Sequence, residues 1–246
     1  MSVKVVATEC SINAPRRKFK YHHGDSVHDF QIPDSANPVI SPVGDVANLT
    51  APSEARTALA GLLLSGGASQ RMGRDKTRLL VGGRTLAMRT GSVLSEVVGS
   101  ALEIGPGRSG LEAIQEQLPH QGPLAAILAG WHTLRRRGHQ GSVLVVACDL
   151  PFLEANFLKF LLSVDSAATV LPVVGKRSQP LCAQWGVAAL ELGSDLYAGG
   201  ERSLRFLSSA PDLVLLHENE WSPHATSAMF GDVDTPDDAR RAGLIF

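Results

Sequence analysis

From residue 58 onward, two patterns of apolar residues alternate along the chain. Short continuous apolar runs have the length of strands and are typical of strands buried on both faces of a sheet. Longer segments with apolar residues three and four positions apart indicate helices with one buried face. The predicted strands are Leu59–Leu64, Ala101–Ile104, Val143–Ala147, Thr169–Val174 and Leu181–Trp185, and the predicted helices are Thr85–Val98, Gly122–Arg137, Glu154–Ser163 and Pro236–Ala242. This alternation implies crossover connections, and therefore an α/β fold with a mainly parallel sheet.

Residues 1–57 follow neither pattern. Prolines interrupt the segment, as at Pro33, Pro38 and Pro42, and no apolar period is sustained. We expect an N-terminal extension, loosely ordered or packed on the main domain, and a main domain that spans residues 58–246. The His22-His23 pair is compatible with a metal site, but the composition of the segment favours a solvated polar tail.

Composition excludes several classes of protein. The formal net charge is -1 and the pI is about 6.7, so no overall positive charge is present to attract nucleic acid. No apolar run approaches the roughly 20 residues of a membrane span, and the N-terminus lacks the apolar core of a signal peptide. The cysteines form no C-x-x-C pair, which argues against a zinc knuckle and favours a reducing compartment. We therefore expect a cytoplasmic protein without nucleic-acid or membrane partners.

A glycine-rich segment, Leu64–Lys76, follows the first predicted strand. Glycines allow backbone N–H groups to approach phosphate oxygens, and Arg71 and Lys76 add positive charge. The spacing is not that of a Walker A loop, and the adjacent Gly66 and Gly67 do not fit a dinucleotide G-x-G-x-x-G loop. The composition favours a phosphate-binding loop over a solvated turn.

Acidic residues mark two further segments. Asp149 comes just after the strand Val143–Ala147, at the edge of the sheet where ligands bind in such folds. Two roles remain open for it, a Mg²⁺ ligand or the cap of a helix that begins nearby. Asp232 and Asp234 alternate along an extended segment and so share one face. The following Thr235-Pro236 predicts a capped helix start.

Together these segments resemble the MobA-like nucleotidyltransferases. The signature L-S-G-G-x-S-x-R-M-G-x-D-K is present at Leu64–Lys76. Further motifs of that family follow in its order: G-P-L-A at Gly122–Ala125, C-D-x-P at Cys148–Pro151, Q-P-L-x-A at Gln179–Ala183, G-x-R-S-L within Gly199–Leu204 and the acidic T-P end at Asp232–Asp238. The Gly66-Gly67 pair with the G-P-L start is more similar to the guanylyltransferase branch than to the cytidylyltransferase branch.

The resemblance implies a Rossmann-like three-layer nucleotidyltransferase domain. It implies transfer of GMP from GTP to the molybdopterin-bound molybdenum cofactor, with release of pyrophosphate and Mg²⁺ as cofactor. Transient contact with other cofactor-biosynthesis proteins is a further expectation. Arg71, Lys76 and Asp149 are the expected catalytic residues. The expected nucleotide-binding residues are Leu64, Ser65, Gly66, Gly67, Lys76, Gln117 and Asp149, and the expected metal ligands are Asp149, Asp232 and Asp234.

Three departures from the family pattern involve four positions. Gln117 stands where many members have an acid before the G-P-L helix, and Gly105 stands where some have asparagine. Asp232 and Asp234 replace asparagines of some members. Two alternatives remain open from the residues: the same chemistry on another phosphorylated acceptor, such as a sugar phosphate or a phospholactate-type precursor, and a non-catalytic protein that binds the nucleotide or cofactor.

Overall fold

The computed structural model describes residues 18–23, 26–31, 59–66, 75–115 and 121–244. The chain divides into two units, Met1–Thr50 and Ala51–Phe246. In the first unit, β1 (Lys18–His23) pairs with β2 (Ser26–Gln31) in antiparallel register. The sequence analysis predicted no regular element there, although the Gly24-Asp25 dipeptide between the two strands is a sequence typical of tight hairpin turns. The expected domain boundary at residue 57 stays a prediction.

Within the described part of the second unit, eight of ten strands form one mixed sheet. The strand bounds are Ala60–Leu64 for β3, Leu80–Val81 for β4, Arg84–Thr85 for β5, Ser100–Ile104 for β6, Glu112–Ile114 for β7, Val143–Ala147 for β8, Thr169–Val174 for β9, Arg177–Ser178 for β10, Cys182–Trp185 for β11 and Leu213–Leu216 for β12. The order in the sheet is β10-β9-β11-β8-β3-β6-β7, with β12 beside β9. Strands β7, β6, β3 and β8 run parallel, whereas β11 runs antiparallel to both β8 and β9. A short antiparallel pair, β4 and β5, lies apart from the sheet.

The helices that the sequence predicted are present, with ends within a residue or two of the predicted ones. They are α1 (Leu86–Val97), α2 (Pro123–Arg136), α3 (Ala155–Val164) and α6 (Pro236–Arg241). Helices α4 (Val187–Ala198) and α5 (Glu218–Trp221) were not predicted, and 3-10 helices span Lys76–Arg78, Leu204–Ser209 and Ser227–Phe230. No helix in the described part of the chain combines the length and apolar character needed to cross a bilayer.

Two apolar cores cover the two faces of the sheet. Because neighbouring strand residues point to opposite faces, Leu62 packs with α2 and α4 while Leu63 packs with α1 and α3. The same alternation separates Val145 from Leu144 along β8. Helices on both faces of a mainly parallel sheet form the predicted three-layer α/β fold, so the expectation for the fold class is confirmed.

Candidate functional site

Four segments meet at one edge of the sheet. The register pairs Leu64 with both Ile104 and Ala147, so the parallel strands β3, β6 and β8 end side by side. Asp149 follows the last of these strands. Strand β11 runs in the opposite direction and pairs Cys182 with Val146, so it begins at this edge rather than ending there. The start of the glycine-rich segment, the chain after β6, the chain at Asp149 and the segment before β11 therefore lie at a common edge.

Lys76 and Asp149 form an ion pair at this edge. The Nζ atom of Lys76 donates a hydrogen bond of 2.6 Å to Oδ2 of Asp149, and both side chains are 18% exposed. The alternative role of Asp149 as a helix cap is wrong. Helix α3 has Glu154 as its N-cap residue, and Glu154 makes no side-chain capping bond.

A small apolar cluster brings the C-terminal acids to Lys76. Leu79 packs with Val233, Ala239 and Leu244, and the N–H of Val233 donates to the backbone oxygen of Asp149 at 3.2 Å. These contacts place Oδ1 of Asp234 3.4 Å from the Nζ atom of Lys76. The lysine ammonium therefore lies between two carboxylates that are distant from it in sequence.

The charges at the site perturb one another. Burial lowers the pKa of Lys76, but the carboxylates of Asp149 and Asp234 outweigh burial, so that its pKa is raised overall. The pKa of Asp232 is also raised, first by burial and then by the negative charges of Asp234 and Asp149. The carboxylates of Asp149, Asp232 and Asp234 together carry more negative charge than the single ammonium of Lys76 neutralises, which suits a bound cation.

Asp149, Asp232 and Asp234 do not form a metal cage on their own. Among the residues that the structure describes, no group of three or more His, Cys, Asp or Glu side chains is placed to hold a metal ion. The donor set is nevertheless of the right kind, because Mg²⁺ prefers oxygen and is held in nucleotide sites by one or two carboxylates together with phosphate oxygens. The expected metal site therefore stays a prediction that depends on bound nucleotide.

The start of the glycine-rich segment is bonded differently from the expectation. The N–H groups of Ser65 and Gly66 both donate to the carbonyl of Ile104, at 3.1 and 3.2 Å. These two N–H groups extend the pairing between β3 and β6, so they are not free to surround a phosphate. Leu64 is buried in the core. Gly67, Arg71 and Gln117, three of the expected site residues, lie outside the described residues.

Glu103 is an acid that the sequence analysis did not identify. It lies in strand β6, between the apolar residues Leu102 and Ile104, and is fully buried. Its carboxylate accepts hydrogen bonds from the hydroxyls of Ser65 and Ser109 and from the backbone N–H groups of Gly107, Arg108 and Ser109. Burial raises the pKa of Glu103, but these hydrogen bonds outweigh burial and hold its pKa below the usual value. The sequence signal that could have identified Glu103 is an acid between apolar residues of a predicted strand.

Arg202, in the motif Gly199–Leu204, lies at the protein surface. Arg202 stacks on Tyr197, with its guanidinium carbon 4.0 Å from the ring centre, and reaches Gln121 next to the start of α2. Glu201 accepts from the N–H groups of Arg202 and Ser203, and Ser203 caps the 3-10 helix that follows. Gln179, just before β11, is partly exposed. The segment Gly199–Leu204 thus stabilises the local chain and also presents the Arg202 guanidinium at the surface.

The acidic C-terminal motif includes a capping box. Thr235 accepts from the N–H of Asp238, whose carboxylate accepts in return from the N–H of Thr235. Pro236 is at the first turn of α6, as predicted. Capping therefore explains Thr235 and Asp238, while Asp234 faces Lys76.

Comparison with known families identifies the chain. The family model described as the MobA-like NTP transferase domain matches residues 61–212, which is more than half of the sequence. The chain belongs to this family. It is therefore a nucleotidyltransferase, and the resemblance found in its motifs is confirmed.

Relatives with assigned names agree with this membership. Over 205 residues the chain is 31% identical to the "Molybdenum cofactor guanylyltransferase" of Rhizobium meliloti (strain 1021), a match that covers 78% of this chain and 93% of the relative. A protein of the same name from Rhodobacter capsulatus is 29% identical over 193 residues, which cover 75% of this chain and 94% of the relative. The crystal structure of "Molybdopterin-guanine dinucleotide biosynthesis protein A" from Archaeoglobus fulgidus has the same fold, with a TM-score of 0.62 and 22% identity over 75% of this chain and 96% of that one.

The structure explains one departure of this MobA-like NTP transferase from the family pattern. Gly105 has a φ of +152°, and a Cβ atom there would lie 2.2 Å from the hydroxyl oxygen of Ser65 and 2.8 Å from the N atom of Gly66. Asparagine cannot be accommodated at this position without moving the start of the glycine-rich segment. Gly105 is thus required by the close approach of the chain after β6 to the chain after β3.

We expect that deletion of residues 1–57 leaves nucleotidyl transfer largely intact in this MobA-like NTP transferase. The family match begins at residue 61, and the site residues described above all follow it. Stability and solubility are expected to fall modestly. The measurement is GTP affinity and turnover on one truncated sample, with circular dichroism to show that it is folded. Normal GTP affinity with a loss of roughly a hundredfold in turnover would contradict the expectation, since that is the size of effect for lost acceptor positioning.

Proposed function

We propose that this chain transfers GMP from GTP to the molybdopterin-bound molybdenum cofactor, forming a molybdopterin guanine dinucleotide and pyrophosphate. The observation that carries the proposal is the Lys76–Asp149 ion pair at the ligand-binding edge of the sheet. The proposal is also supported by similarity, because the chain matches proteins named molybdenum cofactor guanylyltransferase over most of their length. A cytoplasmic location and contacts with other cofactor-biosynthesis proteins are further expectations from this relationship.

The proposed chemistry is an in-line displacement at the α-phosphorus of GTP. An oxygen of the acceptor's terminal phosphate forms the new bond to this phosphorus, and the bond from the α-phosphorus to the oxygen that bridges it to the β-phosphate breaks. The electron pair and negative charge leave with pyrophosphate. Such a reaction needs positioning and charge neutralisation more than covalent help from the protein.

Lys76 supplies mobile positive charge for this reaction. Its ammonium is held between Asp149 and Asp234. When a triphosphate enters, we expect this flexible side chain to turn toward the negatively charged phosphate oxygens. Arg71, on the same segment, is proposed to add a second positive charge.

Asp149 is the proposed principal ligand of Mg²⁺, with Asp234 or Asp232 as a second ligand or as the holder of a metal-bound water. When bound, the metal ion would neutralise charge on the phosphates. The support is chemical: carboxylate oxygens of Asp149 and Asp234 both lie near the Lys76 ammonium, and the pKa of Asp232 is raised by burial and then by the negative charges of Asp234 and Asp149.

The acceptor is proposed to bind beyond the start of β11. Gln179 precedes this strand, and the segment Gly199–Arg205 carries Arg202 and Arg205, which suit a phosphorylated acceptor. Because acceptor choice depends on these later segments, the same chemistry on a sugar phosphate is the nearer alternative. The non-catalytic alternative is disfavoured because Lys76 and Asp149 are both present and in contact.

We expect GTP to be preferred over CTP and ATP by about tenfold or more, because a wrong base leaves buried hydrogen-bonding groups unpaired. The measurement is pyrophosphate release with each nucleotide in the presence of the molybdenum cofactor, and with a sugar phosphate in its place. Faster release with CTP would overturn the guanine assignment. Release with the sugar phosphate alone would instead support the other acceptor.

A further inference from the structure

We propose that Glu103 is a positioning residue that holds both ends of the glycine-rich segment, and so keeps Lys76 aligned with the triphosphate of GTP. The inference rests on the proposed function and extends it. Glu103 does not face the nucleotide; it acts through Ser65 at the start of the segment and through Arg108 at its end.

The first connection runs from Glu103 to Ser65. The hydroxyl of Ser65 donates to Oε1 of Glu103 at 2.5 Å, and both residues are buried. Gly105 makes this contact close, because only a residue without Cβ fits against Ser65 there. The first residue after β3 is thus fixed to a carboxylate inside the sheet.

The second connection runs through the loop that follows β6. The carboxylate of Glu103 accepts from the backbone N–H groups of Gly107, Arg108 and Ser109, which fold the loop around it. This arrangement directs the Arg108 side chain toward the far end of the glycine-rich segment. Its guanidinium donates to the Thr77 hydroxyl at 2.9 Å and forms an ion pair with Asp75.

Asp75 and Thr77 flank Lys76 directly. Asp75 caps the 3-10 helix Lys76–Arg78 by accepting from the N–H of Thr77 at 3.0 Å. Because the same carboxylate orders Ser65 and the loop that carries Arg108, both ends of the segment have fixed positions before the nucleotide arrives. Pre-ordered ends lower the entropy that binding must overcome, so the effect belongs to GTP binding.

A carboxylate is required for this role. An ionised carboxylate offers acceptors on both oxygens, whereas glutamine offers one acceptor and an NH₂ group that would face the N–H donors of the loop. Glu103→Gln therefore keeps the shape and removes part of the network. Arg108→Met removes only the link to Asp75 and Thr77, since Glu103 is bonded to the backbone of Arg108 rather than to its side chain.

The experiment measures the Kd for GTP directly, together with kcat, both KM values and Tm, for the full chain and each variant. Glu112→Gln is the matched control. Glu112 lies on the neighbouring strand β7, and this substitution breaks only its exposed ion pair with Arg137. We expect Glu103→Gln and Arg108→Met to raise the KM and Kd for GTP by about tenfold or more, the scale of lost pre-ordering and alignment. The KM for the acceptor should not change in these two variants. The Kd and both KM values of Glu112→Gln should match those of the wild type.

A purely structural role gives another result. Loss of folded protein lowers Tm and the active fraction but leaves the KM for GTP unchanged, and this outcome would overturn the proposal. If Glu103→Gln does not fold, Arg108→Met decides: an unchanged Kd for GTP in that variant also overturns it. If wild-type protein binds GTP but transfers nothing to the acceptor, the proposed function fails, while a raised Kd in Arg108→Met still supports the positioning role.

Discussion

Replacement of Asp149 by alanine is expected to abolish turnover while the protein stays folded. The carboxylate is the acidic group nearest to Lys76 and lies where the triphosphate is proposed to bind. Loss of the ligand proposed for Mg²⁺ would remove transition-state charge stabilisation on the order of several kcal/mol, which corresponds to roughly a thousandfold or more in rate. The measurement is Mg²⁺-dependent pyrophosphate release by the purified variant.

The fold should survive this substitution. Asp149 caps no helix, and its backbone oxygen, which accepts from Val233, is unchanged in the variant. Glu154→Gln is the matched control, because Glu154 is an exposed acid in the same loop that makes no capping bond. Near-normal turnover of Asp149→Ala in magnesium would show that Asp149 has no part in the chemistry. Equal losses in both variants would point to the loop rather than to the carboxylate.

Replacement of Lys76 by methionine is expected to lower kcat/KM by roughly a hundredfold to a thousandfold, the range for removal of one preorganised charge-stabilising group. Methionine keeps much of the length of the side chain and removes its charge. Lys76→Arg tests the geometry: a planar guanidinium replaces a compact ammonium, so partial recovery is expected. Both variants are compared with wild type in GTP affinity and in single-turnover rate.

Lys159→Met serves as the control for charge removal alone. Lys159 forms an exposed ion pair with Glu96 at 2.9 Å, and such pairs contribute little. Turnover of this control should match wild type. If Lys76→Met retained normal kcat/KM, the ammonium between Asp149 and Asp234 would be a counter-ion that stabilises the fold and not part of the reaction.

Much of the fold follows from local sequence patterns. Buried strands such as Val143–Ala147 are continuous apolar runs, and α2 has proline at its first turn and a single apolar face. Helix α4 was not predicted because its apolar and small residues do not form a clear stripe, and Gly193 interrupts them where a larger side chain would meet Phe206. Strand β12 is a short apolar run like the others and could have been predicted by the same criterion.

The candidate site was predictable only in part. The position of Asp149 follows from the strand before it, but its contact with Lys76 depends on tertiary packing. The approach of Asp234 depends on Leu79 and Val233 meeting across the domain, which no local pattern encodes. Glu103 was missed because an acid in a short strand is ordinarily taken for an exposed position. The roles of Gly67, Arg71 and Gln117 stay predictions.

Because β11 runs antiparallel to β8, the proposed nucleotide-binding residues and the proposed acceptor-binding residues come from different parts of the sequence. The proposed nucleotide-side residues follow the C-terminal ends of β3, β6 and β8, whereas the proposed acceptor-side residue Gln179 precedes the N-terminal end of β11. Both sets of strand ends lie at the same edge of the sheet. These two groups come from separate stretches of the chain, residues 64–149 and 179–205, whereas Asp234 joins Lys76 from a third stretch near the C-terminus. Substitutions that alter the second stretch can change the acceptor without disturbing the Lys76–Asp149 pair, so the fold allows the two specificities to evolve independently.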